Sequence, residues 1–148
     1  MKNLFLFTLT TFFVVVTQVV VAQSSKKTAQ LVVLDKSINK IKIDVPSNQI
    51  EILHIKGSRI NIETTVKLSS GSLAQLEYMT KSGRYDLDVA TNKVTSTMLL
   101  SPNYNNKVII VRGEEIKETV TYTIYVPDHV LFVETSDGEQ IDGLSSNQ

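Results

Sequence analysis

Carboxylates are the first candidates for chemistry. Asp86 and Asp88 are two residues apart in Arg84-Tyr85-Asp86-Leu87-Asp88-Val89, and an extended chain would hold both side chains on one face about 7 Å apart. That separation suits a glycosidase acid and base, or two ligands of a calcium ion. The alternation with Tyr85, Leu87 and Val89 is also what a half-solvated strand requires, and this plainer reading is preferred. Glu114 and Glu115 follow Gly113 at a hairpin tip, and Asp137-Gly138-Glu139 is a turn without the ligand spacing of a calcium loop.

His54 and His129 are not spaced as a metal pair, and neither has an acidic neighbour that would complete a triad or a zinc motif. They read as partly buried or surface histidines. Serines are plentiful, but no Gly-x-Ser-x-Gly elbow, phosphate loop or dinucleotide fingerprint occurs. Thr119, Thr121, Thr123 and Tyr125 fall on one strand face and could offer hydroxyls and a ring to a glycan or protein, although ordinary β-propensity accounts for them equally. Tyr78, Tyr104 and Tyr122 are too scattered for a stacking platform. No catalytic, cofactor-binding or metal-ligating residue is therefore assigned, and the chain reads as non-enzymatic without a cofactor.

Composition narrows the partners. Fifteen Lys plus Arg balance fifteen Asp plus Glu, so no field gathers nucleic acid or an anionic membrane. The absence of cysteine removes disulfides, thiolate metal sites, cysteine nucleophiles and a lipoprotein anchor. The 148 residues allow one core.

The elements expected to carry these residues are strands. Period-two alternation runs through Ile41, Ile43 and Val45, and again through Ile60, Ile62 and Thr64. Pro46 should end a strand, with turn chemistry at Ser47-Asn48 before Ile50-Glu51-Ile52. Ser72-Leu73-Ala74-Gln75 fits a capping box, and Leu73, Leu76 and Met79 recur at helical spacing. One short helix over 73–81 is predicted, stopped at Gly83. Asn92-Lys93 predicts a hairpin into Val94–Leu100, followed by a loop over Pro102–Asn106. Val108–Val111 and Thr119–Val126 read as a second hairpin around Gly113-Glu114-Glu115, and Pro127-Asp128 ends it.

Residues 1–22 read as a signal peptide. Met1-Lys2-Asn3 precedes the apolar run Leu4–Val16, and Val20-Val21-Ala22 presents compact residues for cleavage after Ala22. An uncleaved anchor is the competitor, against which stand Thr17, Gln18 and the outward Lys26-Lys27. Residues 23–29 read as a flexible lead-in, 30–144 as a single β-rich domain and 145–148 as a tail. Export places the chain in the periplasm, on the outer cell surface or outside the cell.

An internal repeat is visible. At an offset of 81 residues, Ile43-Asp44-Val45-Pro46 superposes on Ile124-Tyr125-Val126-Pro127, Gly57 on Gly138 and Ile60 on Ile141. Ile50 and Ile52 then meet Leu131 and Val133. The unit is strand, Val-Pro, strand, Gly turn, strand.

In Thr121-Tyr122-Thr123-Ile124-Tyr125-Val126-Pro127, Val133-Glu134-Thr135-Ser136-Asp137-Gly138 and Ile141-Asp142-Gly143-Leu144, the chain resembles the adhesin-type domains of bacterial envelope proteins common in Bacteroidetes. The passage Met79–Leu87 is also similar to some exported members. The resemblance implies a β-solenoid-like domain with no known activity and no catalytic residues. The fold expectation is thus all-β, either β-solenoid-like or two packed antiparallel β units. The functional expectation is an adhesin-like or scaffolding role, with a glycan- or peptide-binding module as the alternative. Further rungs would follow Gly143-Leu144 in that family. Strand Val130–Thr135 and the segment Gln140–Asp142 are therefore expected to leave a C-terminal β edge open to self-association or to a partner strand.

Overall fold

The computed structural model describes residues 23–103, 108–138 and 140–142. The expected signal peptide 1–22, Tyr104 of the expected Pro102–Asn106 loop, Glu139, the expected Gly143-Leu144 turn and the expected tail 145–148 lie outside these residues. The chain runs β1 (Ser24–Val33), β2 (Lys40–Ile43), β3 (Ile50–Ile55), β4 (Arg59–Leu68), α1 (Leu73–Lys81), β5 (Leu87–Asn92) and β6 (Thr97–Pro102). It continues with β7 (Ile109–Val111), β8 (Glu114–Ile116), β9 (Glu118–Pro127), β10 (Phe132–Thr135) and β11 (Gln140–Asp142). The all-β expectation with one short helix holds.

Two open, mixed sheets are formed, in the orders β1-β4-β9-β3 and β11-β10-β2-β6-β5, with β7-β8 as a separate hairpin. This corrects the solenoid expectation, because no coil of stacked rungs is present among the described residues. It also corrects the antiparallel pairing, because β3 joins β9, and β2 joins both β10 and β6, in parallel.

The repeat explains those parallel joints. The strand, Val-Pro, strand, Gly turn, strand unit appears as β2–β3–β4 and again as β9–β10–β11. Each Val-Pro step carries the chain from one sheet to the other, in opposite senses, so that each unit donates a strand to its counterpart's sheet. Both steps close the same backbone bond, Gln49 N to Pro46 O at 3.0 Å and Val130 N to Pro127 O at 3.0 Å. Val45 and Val126 are buried at the crossings. The two parallel joints differ in register, with Ile52 opposite Ile124 but Val133 opposite Ile41. A shift of two residues leaves each side chain on its original face.

The first core is shared by both sheets and contains Ile60, Ile62, Ile124 and Val126 from one, with Ile41, Ile43, Met98, Leu100 and Val133 from the other. A smaller core gathers Val66, Leu68, Leu76, Tyr85 and Ile116 where α1 and the β7-β8 hairpin cover the far end of β4 and β9. The helix begins as predicted: Gln75 N donates to Ser72 Oγ at 3.2 Å, and Ser72 N donates to Gln75 Oε1 at 2.9 Å.

The lead-in expectation is overturned. Ser24–Val33 is a ten-residue strand paired antiparallel with β4 along its whole length. Its inward face runs from polar Ser24, Lys26, Thr28 and Gln30 to buried Val32, and several of the polar positions find polar partners. Gln30 Nε2 donates to Leu87 O at 2.8 Å, Gln30 Oε1 accepts from Leu87 N at 2.9 Å, and Lys26 Nζ reaches Glu77 at 3.3 Å. The second hairpin is also reassigned. Arg112 and Gly113 both have positive φ, and this two-residue turn joins β7 to β8, not to β9.

The expected C-terminal edge is shifted. β10 lies between β2 and β11, and Val133 is fully buried, so Val130–Thr135 is interior. Among the described residues, β11 is the outermost strand at that side of its sheet.

Candidate functional site

Gly83, at φ 74°, ends α1 and turns Arg84 and Tyr85 toward the start of β9. There Arg84 grips Glu118 through two parallel bonds, Nε to Oε1 at 3.0 Å and Nη2 to Oε2 at 2.8 Å. The Tyr85 hydroxyl donates to Glu118 Oε1 as well, and the Arg84 guanidinium lies 5.9 Å from the Tyr85 ring centroid. The ion-pair side chains are only 17% and 18% exposed, so the pair is shielded from the screening that weakens surface bridges.

The electrostatics point to a clasp. The bond to Glu118 raises the Arg84 guanidinium further above its usual value. Burial first, then the bond to Glu118, pushes the Tyr85 phenol well above its usual range. A phenol held protonated is a poor base, and both Glu118 oxygens already accept hydrogen bonds from Arg84 or Tyr85.

Beside this clasp runs a groove of about 600 Å³, bounded by Asn48 and Gln49 at one end, by Val108 and Ile109 along one wall, and by Glu118–Thr121 along the other. Its position follows from strand lengths. β9 has ten residues, but β3 pairs only with Tyr122–Pro127. Glu118–Thr121 thus has β4 on one side and the groove on the other. Lys117 O accepts from Ser69 N at 2.9 Å on the β4 side, whereas Asp128 N donates to Ile55 O at 3.0 Å on the β3 side. Alternation along the strand then turns the N–H and C=O groups of Glu118 and Val120 toward the groove. A smaller apolar hollow of about 360 Å³ lies between α1 and the hairpin, lined by Ala74, Tyr78, Met79, Ile109, Val111 and Ile116.

The residues singled out in the sequence are dispersed. Asp86 is half-buried in the turn before β5, its N–H donating to Gly83 O at 3.1 Å, and Asp88 is exposed. No group of three or more His, Cys, Asp or Glu side chains among the described residues could hold a metal ion. Replacing both aspartates with asparagine should change stability by no more than about 0.5 kcal/mol in urea denaturation. A loss several times larger would give these carboxylates a role that their surroundings do not suggest.

His129 is exposed, while both ring nitrogens of half-buried His54 lie out of solvent without a hydrogen-bond partner among the described residues. Glu114 and Glu115 flank the hairpin turn and are exposed. Thr119, Thr121, Thr123 and Tyr125 do share the outer face of β9, with Thr123 Oγ1 donating to Glu51 at 3.3 Å. Asp137 accepts from Ser47 N at 3.0 Å, Ser47 Oγ at 2.6 Å and Thr135 Oγ1 at 2.5 Å. These bonds, that of the Ser47 hydroxyl first, hold its carboxyl far below the usual carboxylate range and tie one Val-Pro crossing to the turn after β10.

Sequence reasoning missed Arg84 with Glu118, which are separated by 34 positions and brought together only by the turn after α1. It also missed the groove, because the lengths of β3 and β9 are not written in any motif. No family model matches the chain, and neither a curated protein nor a solved structure does. No helix among the described residues is long and apolar enough to cross a membrane.

Proposed function

We propose that the chain is an exported envelope protein, in the periplasm, on the outer surface or outside the cell, that acts by contact and not by catalysis. The role is adhesin-like or scaffolding, as the resemblance of its Val-Pro and Gly-punctuated segments implies. The observation that carries this reading is the groove beside β9, where, among the described residues, a stretch of sheet edge meets open space instead of a neighbouring strand. Of the titratable groups that line it, Glu118, Tyr85 and Arg84 are engaged with one another, and Glu115 and Lys117 are exposed beside them. A module for a glycan or a peptide is the form of contact that such a groove suits. Self-association through β11, the outermost strand of its sheet, is a second route to contact.

Two measurements test the proposal. Mass spectrometry of the envelope fraction should find Gln23 as the mature N-terminus, and an intact Met1 held in membranes would overturn export by cleavage. A photocrosslinking residue at Thr121, in the groove, should give envelope adducts that the same residue at exposed Lys93 does not. Equal adducts from both positions would remove the groove from the account.

A further inference from the structure

Resting on the contact reading above, we infer that the groove takes an extended segment of a partner polypeptide, added as a short strand to β9 in line with β3. The main chain defines the ligand class. Glu118 and Val120 each present one N–H and one C=O to the groove, while the intervening Thr119 bonds toward β4. Donors and acceptors that recur at every second residue match another extended backbone and hold affinity without requiring a fixed sequence.

The site has room and limits for such a strand. The unpaired stretch Glu118–Thr121 accommodates about four residues, or roughly 13 Å of extended chain, within a groove of about 600 Å³. One end is closed by Asn48 and Gln49, where the chain arrives from the other sheet and enters β3. Pairing of β3 itself stops at Ile50 opposite Tyr122, so an added strand would continue the same edge.

The walls set the side-chain pattern. A ligand residue opposite Val120 turns inward toward Val120, Ile109 and Ile116, which belong to or pack against the smaller core. That position favours a β-branched or aromatic residue. Its neighbours turn outward beside the exposed hydroxyls of Thr119 and Thr121 and favour polar residues. Glu115 and Lys117 both line the groove, so neither sign of ligand charge is selected.

A peptide fits better than a glycan. The chain has no tryptophan, and the aromatic ring lining the groove, Tyr85, is buried against the smaller core with 1% exposure. Among the described residues, a sugar ring therefore finds no open aromatic face there.

The test is to select binders from a displayed library of random linear heptapeptides on the folded mature chain, and to read backbone amide exchange by NMR. Selected peptides should alternate apolar and polar residues and should slow exchange at Glu118 and Val120. Val120→Pro removes a groove-facing donor that has no partner among the described residues, and should weaken binding at least about tenfold. Val120→Ala, which keeps that donor, should lose no more than about threefold. The proline variant is first checked by circular dichroism. Should it not fold, alternately N-methylated versions of the selected peptides, tested on the unchanged protein, must show the same loss.

Binders that leave both amides unprotected, or N-methylated peptides that bind as well as their parents, would overturn strand addition. So would protection of these amides by concentrated protein alone, which would make the occupant a second copy. If chitohexaose protects the groove and no peptide does, strand addition fails while the contact reading stands. If nothing binds and the Thr121 crosslinks match those from Lys93, both fail.

Discussion

Replacing Glu118 with alanine should destabilise the protein by about 2–4 kcal/mol, measured as a shift of the urea midpoint at constant slope. The substitution leaves the Arg84 charge and the Tyr85 hydroxyl without the acceptor they share. A fully unpaired charge in a dry interior would cost more than this, but Arg84 keeps its contact with the Tyr85 ring, borders the groove and can recover some water. Glu118→Gln should recover part of the loss, since an amide oxygen still accepts from one of the two donors. The exposed pair Lys81–Glu77, at 3.5 Å, is the internal comparison: Lys81→Ala should cost less than about 0.5 kcal/mol. A Glu118→Ala cost as small as that of Lys81→Ala would show that the clasp does not hold α1's exit against β9.

The second large effect belongs to the shared core. Ile124 is fully buried, and the pairing registers put Ile62 of β4 on one side of it and Ile52 of β3 on the other. Ile124→Ala should cost about 3–5 kcal/mol, the sum of lost transfer energy and of a cavity that two sheets cannot close, and Ile124→Val about 1 kcal/mol. Leu53→Ala removes a comparable volume from the outer face of β3, where Leu53 is 39% exposed, and should cost less than about 1 kcal/mol. Equal losses at the two positions would mean that the two sheets do not share one core.

The sequence made legible what depends on local rules. Period-two apolar residues located β2, β4 and most of β9, and the Ser72 capping box located α1, because those signals are set by neighbours a few residues away. The repeat was legible too, since Pro46, Pro127 and Gly138 occupy backbone positions where few residues fit. Its arrangement was not. Nothing in Ile43-Asp44-Val45-Pro46 says that the next strand changes sheets and pairs in parallel with a strand more than seventy residues away.

β1 was missed for a different reason. Its inward face carries Ser24, Lys26, Thr28 and Gln30, and a search for apolar alternation reads such a face as loop. Only tertiary partners, Glu77 on α1 and the Leu87 backbone, make those residues suitable for a half-buried face. The candidate site was hidden for a related reason. Its defining feature is the difference in length between β3 and β9, and its recognition groups belong to the backbone, which no residue type announces.

Hydrogen exchange in the free protein reads the state of this strand edge itself. With β3 ending opposite Tyr122, the amides of Glu118 and Val120 face water in the groove, while those of Thr119 and Thr121 bond to β4. Glu118 and Val120 should exchange at least about a hundredfold faster than Thr119 and Thr121 under native conditions. Equal protection of all four amides in the free, monomeric protein would mean that this edge is already covered, and would contradict the assignment of a contact site there.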